Sequence, residues 1–231
     1  MDGNGRWAKA RGLARTQGHL EGVKRVDEIV EAANDLGVGA LTLFTFSTEN
    51  WGRPEQEVSM LMQTLITALG QKLQKMCANK VRFRISGRRE GAPASVLEAF
   101  DRCVAATKDN QGMVLNIAFN YGGRQEIARA ARRIAEDVAQ GRLKPADVTM
   151  DTVSAFLDAP DIPDPDLVIR TSGEQRLSNF LLWEAAYAEL IFQDVLWPDY
   201  GAEHLKAALV EFATRDRRYG AIVPDDVLAA G

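Results

Sequence analysis

The first nineteen residues, MDGNGRWAKARGLARTQGH, gather groups suited to holding an anion. Gly3 and Gly5 free the backbone to turn N–H groups toward a ligand, and Arg6, Lys9, Arg11, Arg15 and His19 supply positive or protonatable side chains. Asp2 has the wrong sign for a phosphate unless a divalent cation sits between them. Mg²⁺ meets that need, because it binds through one or two carboxylates and completes its shell with substrate phosphate oxygens. The segment therefore reads as a metal-assisted diphosphate cradle built from Asp2, Gly3, Asn4, Gly5 and Arg6. Arg15 and His19 are four residues apart and share one face of a helix, so both can grip the same anion. The plainer alternative is a glycine-rich turn with an Asx cap; the surrounding cations weigh against it.

Two other stretches have the same character. In STENWGRP (47–54), Asn50, Trp51 and Arg53 follow a run of polar residues, and Trp51 can serve either as a stacking wall or as a core side chain. In IRTSGEQRLSN (169–179), Arg170 and Arg176 flank Ser172, Gly173 and Ser178, a combination suited to bidentate phosphate recognition. Two nucleotide-binding patterns find little support. GNGRWA fits G-x-G-x-x-A, but no strand precedes it and no acid ends a second strand at the required distance, and the phosphate loop G-x-x-x-x-G-K-[ST] is missing.

These segments need a scaffold, and the apolar pattern supplies one. ALTLFTF (40–46) is a nearly continuous apolar run, as in a strand buried on both faces, and VRFRIS (81–86), VLNIAF (114–119) and DLVIR (166–170) read as further strands. Helical periods cover 22–34, 55–78, 95–107, 124–139 and 202–214, the second with a wide apolar stripe through Leu61, Leu65, Leu69 and Leu73. Alternation of this kind predicts an α/β fold, one domain with a mostly parallel central sheet flanked by helices. Ligands in such sheets bind beyond the carboxyl ends of the strands. STENWGRP, NYGGR and TSGEQRLSN all follow predicted strands, so they meet at one edge as an anion-binding rim. With cradles near 2–19 and 170–178 and apolar helices walling a long hydrophobic tunnel between them, the chemistry expected is prenyl transfer.

The composition sets outer bounds. With 231 residues, 46% of them hydrophobic, the chain can bury a large core, and its net charge of −4 argues against a nucleic-acid partner. Residues 1–25 nevertheless hold six Lys and Arg against two acids, a local cationic patch on an acidic protein. Cys77 and Cys103 have no metal-ligand spacing and read as buried small hydrophobes in a reducing compartment. There is no apolar run long enough to span a membrane and no signal-peptide core, so the expected location is cytoplasmic.

Together, MDGNGRWA, HLEG, FSTENWGRP, NYGGR, DLVIRTSGEQRLSNFLLWEAAYAEL and LWPDY resemble the cis-prenyltransferase family, in order and in register from residue 1 to about 219, with closest likeness to its bacterial undecaprenyl diphosphate synthases. The aspartate-rich DDxxD of the trans-prenyltransferases is absent. The resemblance implies repeated condensation of isopentenyl diphosphate onto an allylic, farnesyl-type diphosphate, each cycle forming a Z double bond, with Mg²⁺ as cofactor. It implies that Asp2 handles Mg²⁺ and leaving-group departure, and that Gly3, Asn4, Gly5, Arg6, Arg15 and His19 hold the allylic diphosphate with Trp7 beside it. Arg170, Arg176, Leu177 and Ser178 would bind isopentenyl diphosphate, Glu189 would join the metal site, and Ser47, Thr48, Glu49, Asn50, Trp51 and Arg53 would form a flexible loop that orients both substrates. The family makes Asn50 the proton acceptor; a neutral amide is a poor base, which leaves a phosphate oxygen positioned by Asn50 as the other acceptor. A homodimer formed through the C-terminal region, and peripheral delivery of the product to a membrane, are implied as well.

The sequence departs from the family pattern at three places. The family runs a hydrophobic strand into MDGNGRWA, and the expectation here is a start placed downstream of the usual one, with a lost strand as the alternative. SGRREGAP (86–93) replaces the usual glycine–aspartate turn, and Glu184 stands where the family has Gln. A competing class is a non-catalytic scaffold subunit of the same family. Such subunits lose the first-motif acid and the cradle, whereas Asp2, Arg6, Arg15, His19 and Arg170 are all present. A diphosphate hydrolase lacks a positioned base. Product length depends on bulk at the tunnel floor, for which Leu65, Leu69 and Met113 are the candidates.

Overall fold

A computed structural model describes residues 1–216; residues 217–231, the end of the expected domain, lie outside that range. The buried strands assemble as the apolar runs require. In order come β1 (Ala40–Ser47), β2 (Arg82–Ser86), β3 (Val114–Tyr121), β4 (Leu167–Arg170) and β5 (Glu189–Phe192). β3 is buried along nearly its whole length because it lies between β1 and β2, paired parallel to both, with Leu43 and Ile85 each opposite Ile117. β4 and β5 form a second parallel pair, with Arg170 opposite Phe192. The five strands thus form two sheets, of three and two strands, rather than the one continuous sheet expected. No ladder joins β1 to β4; a cavity lined by both strands lies there instead.

The helices cover these sheets. α1 (Asn4–Ala10) and α2 (Arg15–Asp35) open the chain, α3 (Glu55–Ala78) follows β1, and α4 (Ala94–Thr107) follows β2. α5 (Gly123–Ala139), α6 (Met150–Ala155) and α7 (Ala202–Ala213) complete the set. α2 begins seven residues ahead of the sequence expectation, which puts both Arg15 and His19 on it, and it stops where Gly37 takes a φ of 78°. α6 and β5 went unseen in the sequence because six and four residues are too few to show a period. Phe46, Phe83, Phe100 and Phe119 pack edge-to-face and stacked at 5.2–6.2 Å between centroids, fixing the three-stranded sheet against α4. Cys103 is buried at 2% exposure, but Cys77 is only half-buried, its Sγ near the Ala106 carbonyl.

Two glycines decide how closely α1 can lie on α2. A Cβ on Gly18 would sit 2.0 Å from the Asn4 carbonyl oxygen, and one on Gly22 would sit 2.1 Å from Asn4 Oδ1 and 2.9 Å from Trp197. Because the cradle residues ride on α1 and Arg15 and His19 on α2, this spacing sets their separation. Replacing Gly18 by Ala is expected to push the helices apart, at a cost of about 1–3 kcal/mol, the usual scale of overpacking. Chemical denaturation would measure the loss, and pyrophosphate affinity should fall with it.

Candidate active site

The site begins with a clasp between residues far apart in the chain. The Asp2 amide donates to Thr171 Oγ1 at 2.9 Å, and the Thr171 hydroxyl donates back to the Asp2 carbonyl at 2.8 Å. The Trp197 amide donates to the same carbonyl at 2.9 Å. With its backbone fixed, the Asp2 carboxylate accepts from Arg170 Nη2 at 3.0 Å and from the Gly3 amide at 2.7 Å, with Arg6 Nη2 at 3.6 Å. Burial pushes the Asp2 carboxyl up, but the Arg170 and Gly3 hydrogen bonds and the two guanidinium charges outweigh it and hold the group below its ordinary value. Gly3 has a φ of 104° and leaves no room for a side chain, since its Cβ would meet Leu196 at 2.8 Å. Beside it a cavity of about 240 Å³ is lined by Asp2, Gly3, Gly5, Arg6, Lys9 and Arg15, the residues read from sequence as the cradle.

A second group of cations converges on one carboxylate that the sequence reading overlooked. Glu57, in the first turn of α3, has its Oε1 3.2 Å from Arg15 Nε, 3.4 Å from His19 Nε2 and 3.2 Å from Arg53 Nη1. Nothing in its local sequence distinguishes Glu57 from Glu55. His19 is held below the usual histidine range, first by burial and then by the Arg53 charge, with Glu57 partly offsetting both.

The second cradle adjoins the first. Arg170 Nη1 donates to Ser178 Oγ at 2.7 Å and also to the Arg176 carbonyl. Arg6 reaches across to the same loop, donating to Ser172 Oγ at 2.5 Å and to Glu174 Oε1 at 3.0 Å, and Arg176 pairs with the other oxygen of Glu174. Asp2, Arg6 and Arg170 therefore form one network. The tunnel was expected between two cradles; instead both cradles share one end of it, because Asp2 is clasped to Thr171 and Arg170 at the end of β4, where the second cradle begins. The main cavity, about 1130 Å³, is lined there by Asp2, Asn50, Arg170, Leu177 and Ser178. It extends to Leu36 and Asn79, at the far ends of α2 and α3, so it follows helices of 21 and 24 residues, about 30 Å at least. Leu65 and Leu69 line it; Met113 does not and belongs to the solid core at 4% exposure, which corrects one of the three floor candidates.

The remaining sequence candidates fall into two groups. In the loop after β1, Asn50 Oδ1 accepts from the Ser47 amide at 3.1 Å, Glu49 lies near Asn179, and Thr48 Oγ1 is buried without a partner among the described residues. Trp51 packs edge-to-face on Phe46 at 4.9 Å and donates to Asn120 Oδ1 at 2.7 Å, so it takes the core alternative and secures the loop. Asn120 also donates to the Arg88 and Glu90 carbonyls at 3.1 Å each, which anchors the SGRREGAP turn to the end of β3. Trp7 is turned away from the cradle, its Nε1 on Asp199 at 2.7 Å and Arg11 over its ring at 4.1 Å. Glu189 is not brought to Asp2 within this chain. It begins β5, opposite Leu167, and its carboxylate accepts from Arg215 Nη1 at 2.7 Å. Among the described residues no three acidic, His or Cys side chains cluster as a metal cage. Asp2 alone, beside an anion cradle, still suits Mg²⁺, which takes one carboxylate and fills its shell from substrate and water.

A parallel-stranded α/β scaffold with paired anion cradles at the mouth of an apolar tunnel is the layout of an enzyme that lengthens prenyl diphosphates. The chain belongs to the family described as putative undecaprenyl diphosphate synthase, which it matches over residues 1–220. It is 52% identical over 231 residues to an isoprenyl transferase of Caulobacter vibrioides, covering all of this chain and 89% of that one, and 50% identical to the isoprenyl transferase of Agrobacterium fabrum, covering 93% of it. Among solved structures, lavandulyl diphosphate synthase from Lavandula x intermedia, in complex with dimethylallyl diphosphate, superposes with a TM-score of 0.93 at 34% identity and 95% coverage of both chains. A probable undecaprenyl diphosphate synthase from Campylobacter jejuni gives 0.77 at 34% identity, covering 87% of this chain and 92% of that one. The protein is a cis-prenyltransferase enzyme. No helix among the described residues is long and apolar enough to cross a membrane.

The electrostatics predict a measurable response of His19. In the free protein its imidazole should titrate below the ordinary value and stay neutral at pH 7, and added Mg²⁺–pyrophosphate should raise its pKa. Glu57→Gln should lower it further by removing a partner that favours the charged form. NMR titration reads all three, because the chain has two histidines and a His19→Asn variant assigns the signal.

Proposed function

We propose that this enzyme condenses isopentenyl diphosphate with an allylic, farnesyl-type diphosphate, adding Z units in succession to make a long polyprenyl diphosphate carrier. The observation that carries this reading is the shared mouth: two anion subsites in contact through Asp2, Arg6 and Arg170, opening into an apolar cavity of about 1130 Å³. Two diphosphates held side by side bring the allylic C1 near the isopentenyl double bond, and the growing chain is offered the cavity.

Arg6, Arg15, His19 and Arg53 hold the allylic diphosphate, and Arg170, Arg176 and Ser178 hold isopentenyl diphosphate. The allylic C1–O bond breaks with its electron pair leaving on the diphosphate, and the isopentenyl C4 forms the new bond to C1. The C2 proton is then lost, giving the new double bond and free pyrophosphate. Positive charge set around the leaving diphosphate stabilises what grows in the transition state. Mg²⁺, where Asp2 holds it, supplies additional charge of that kind. Asn50 Oδ1 is engaged by the Ser47 amide, leaving the NH₂ group to donate to a phosphate, so a phosphate oxygen is the better proton acceptor. Pairing with a second copy through the C-terminal region belongs to the same reading, and the 77% and 58% exposure of Tyr187 and Val210 supports it.

The test is incubation with farnesyl diphosphate, labelled isopentenyl diphosphate and Mg²⁺, with products resolved by chain length. A ladder ending in a long polyprenyl product is expected, and Asp2→Ala should slow it by about a hundred- to a thousandfold, the scale for losing one transition-state electrostatic group. A single condensation product would overturn the long-chain reading, and no product in the wild type would overturn the activity.

A further inference from the structure

The loop that delivers Ser178 has an unusual backbone. Ser178, Asn179 and Leu181 have φ values of 52°, 63° and 45°, a region that residues other than glycine keep only when their surroundings force it. Part of that force comes from α5. The Gly123 amide donates to the Asn179 carbonyl at 2.7 Å, the Arg124 amide donates to Asn179 Oδ1 at 2.8 Å, and a Cβ on Gly123 would meet Leu182 at 2.9 Å. The third strand-end loop, NYGGR, thus contributes to the rim by bracing the second cradle.

Beneath this contact lie two acids that the chemistry does not use. Glu126, in the first turn of α5, is 1% exposed; its Oε2 accepts the Tyr121 hydroxyl and its Oε1 accepts the Asp158 amide at 3.0 Å. The Glu184 carboxyl, at the end of the strained loop, lies within hydrogen-bonding reach of Glu126. Glu184 Oε2 is buried and has no donor among the described residues. Ionised carboxylates are acceptors only, so two of them cannot bond to each other; a single proton between them makes one the donor. Among the charged groups nearby, Arg129 of α5 donates to Asp158 through Nη2 while its Nη1 is buried without a partner among the described residues, Arg133 lies 4.0 Å from the same carboxylate, and Asp158 and Asp164, between α6 and β4, add further negative charge.

We propose that Glu126 and Glu184 are positioning residues that share one proton, and that the protonated pair fastens the 177–184 loop, and with it Ser178 and Arg170, in the shape that receives the second diphosphate. This rests on the function proposed above. Burial and then the charge of Glu126 raise the Glu184 carboxyl, and burial raises that of Glu126 against the opposing Tyr121 hydrogen bond. Both acids are therefore raised above their unfolded values. Their contribution is fully present in acid and is lost as pH rises through neutrality into the mildly alkaline range.

Glu184→Gln brings its own N–H donor and needs no shared proton. Melting temperatures of wild type and Glu184→Gln, followed from about pH 6 to about pH 9, should diverge. The wild type should lose several degrees more than the variant over that range. Over the same interval the wild-type KM for isopentenyl diphosphate should rise several-fold with kcat less affected, and the variant should lose this pH dependence. Parallel melting curves would overturn the shared proton, and diverging curves with identical pH profiles of KM would overturn its positioning role. Melting needs no catalysis, so an inactive protein would count against the proposed reaction alone; pyrophosphate affinity would then replace KM as the readout. Should Glu184→Gln fail to fold, Glu126→Gln must show the same flattening.

Discussion

The clasp of Asp2 against Thr171 and Trp197 is the constraint on which the site depends. It joins positions 169 residues apart by reciprocal hydrogen bonds, and it fixes the backbone of the one acid in the cradle. A carboxylate on an unfixed backbone would pay side-chain and backbone entropy each time it engaged a ligand. Fixed here, Asp2 is oriented before any ligand arrives, and Arg170 reaches it from the end of β4. The close approach of α1 to α2 at Gly18 and Gly22 then carries Arg15 and His19 to the same place.

Gathering this many cations has an electrostatic cost, and the fold offsets it with carboxylates of its own. Two like charges 4 Å apart repel by about 4 kcal/mol at the effective dielectric of a protein surface. Glu57 sits among Arg15, His19 and Arg53, and Glu174 joins Arg6 and Arg176. Each occupies the kind of position that a substrate phosphate oxygen would take.

The apolar cavity shows a similar division of labour. α3 turns Leu65 and Leu69 toward open space, while the aromatic cluster of Phe46, Phe83, Phe100 and Phe119 makes the adjoining sheet rigid. Trp51 belongs to that rigid side. It ties the loop after β1 to the end of β3 through Asn120, so the loop that carries Asn50 and Arg53 is anchored at its centre.

By itself the sequence determined the α/β alternation, four of the five strands, the long helices and the clustering of cradle residues within short motifs. Those features are local: apolar period, glycine placement and charge density are written in consecutive residues. The tertiary structure alone decided that the strands divide into two sheets, that both cradles share one mouth, that Met113 is core and not tunnel, and that Trp7 faces Asp199. It also revealed Glu57 and the Glu126–Glu184 pair, whose importance comes from what surrounds them. A carboxylate becomes a counter-ion or a proton-sharing brace through burial and through partners that the chain brings together only on folding, and no pattern of neighbours in sequence records that.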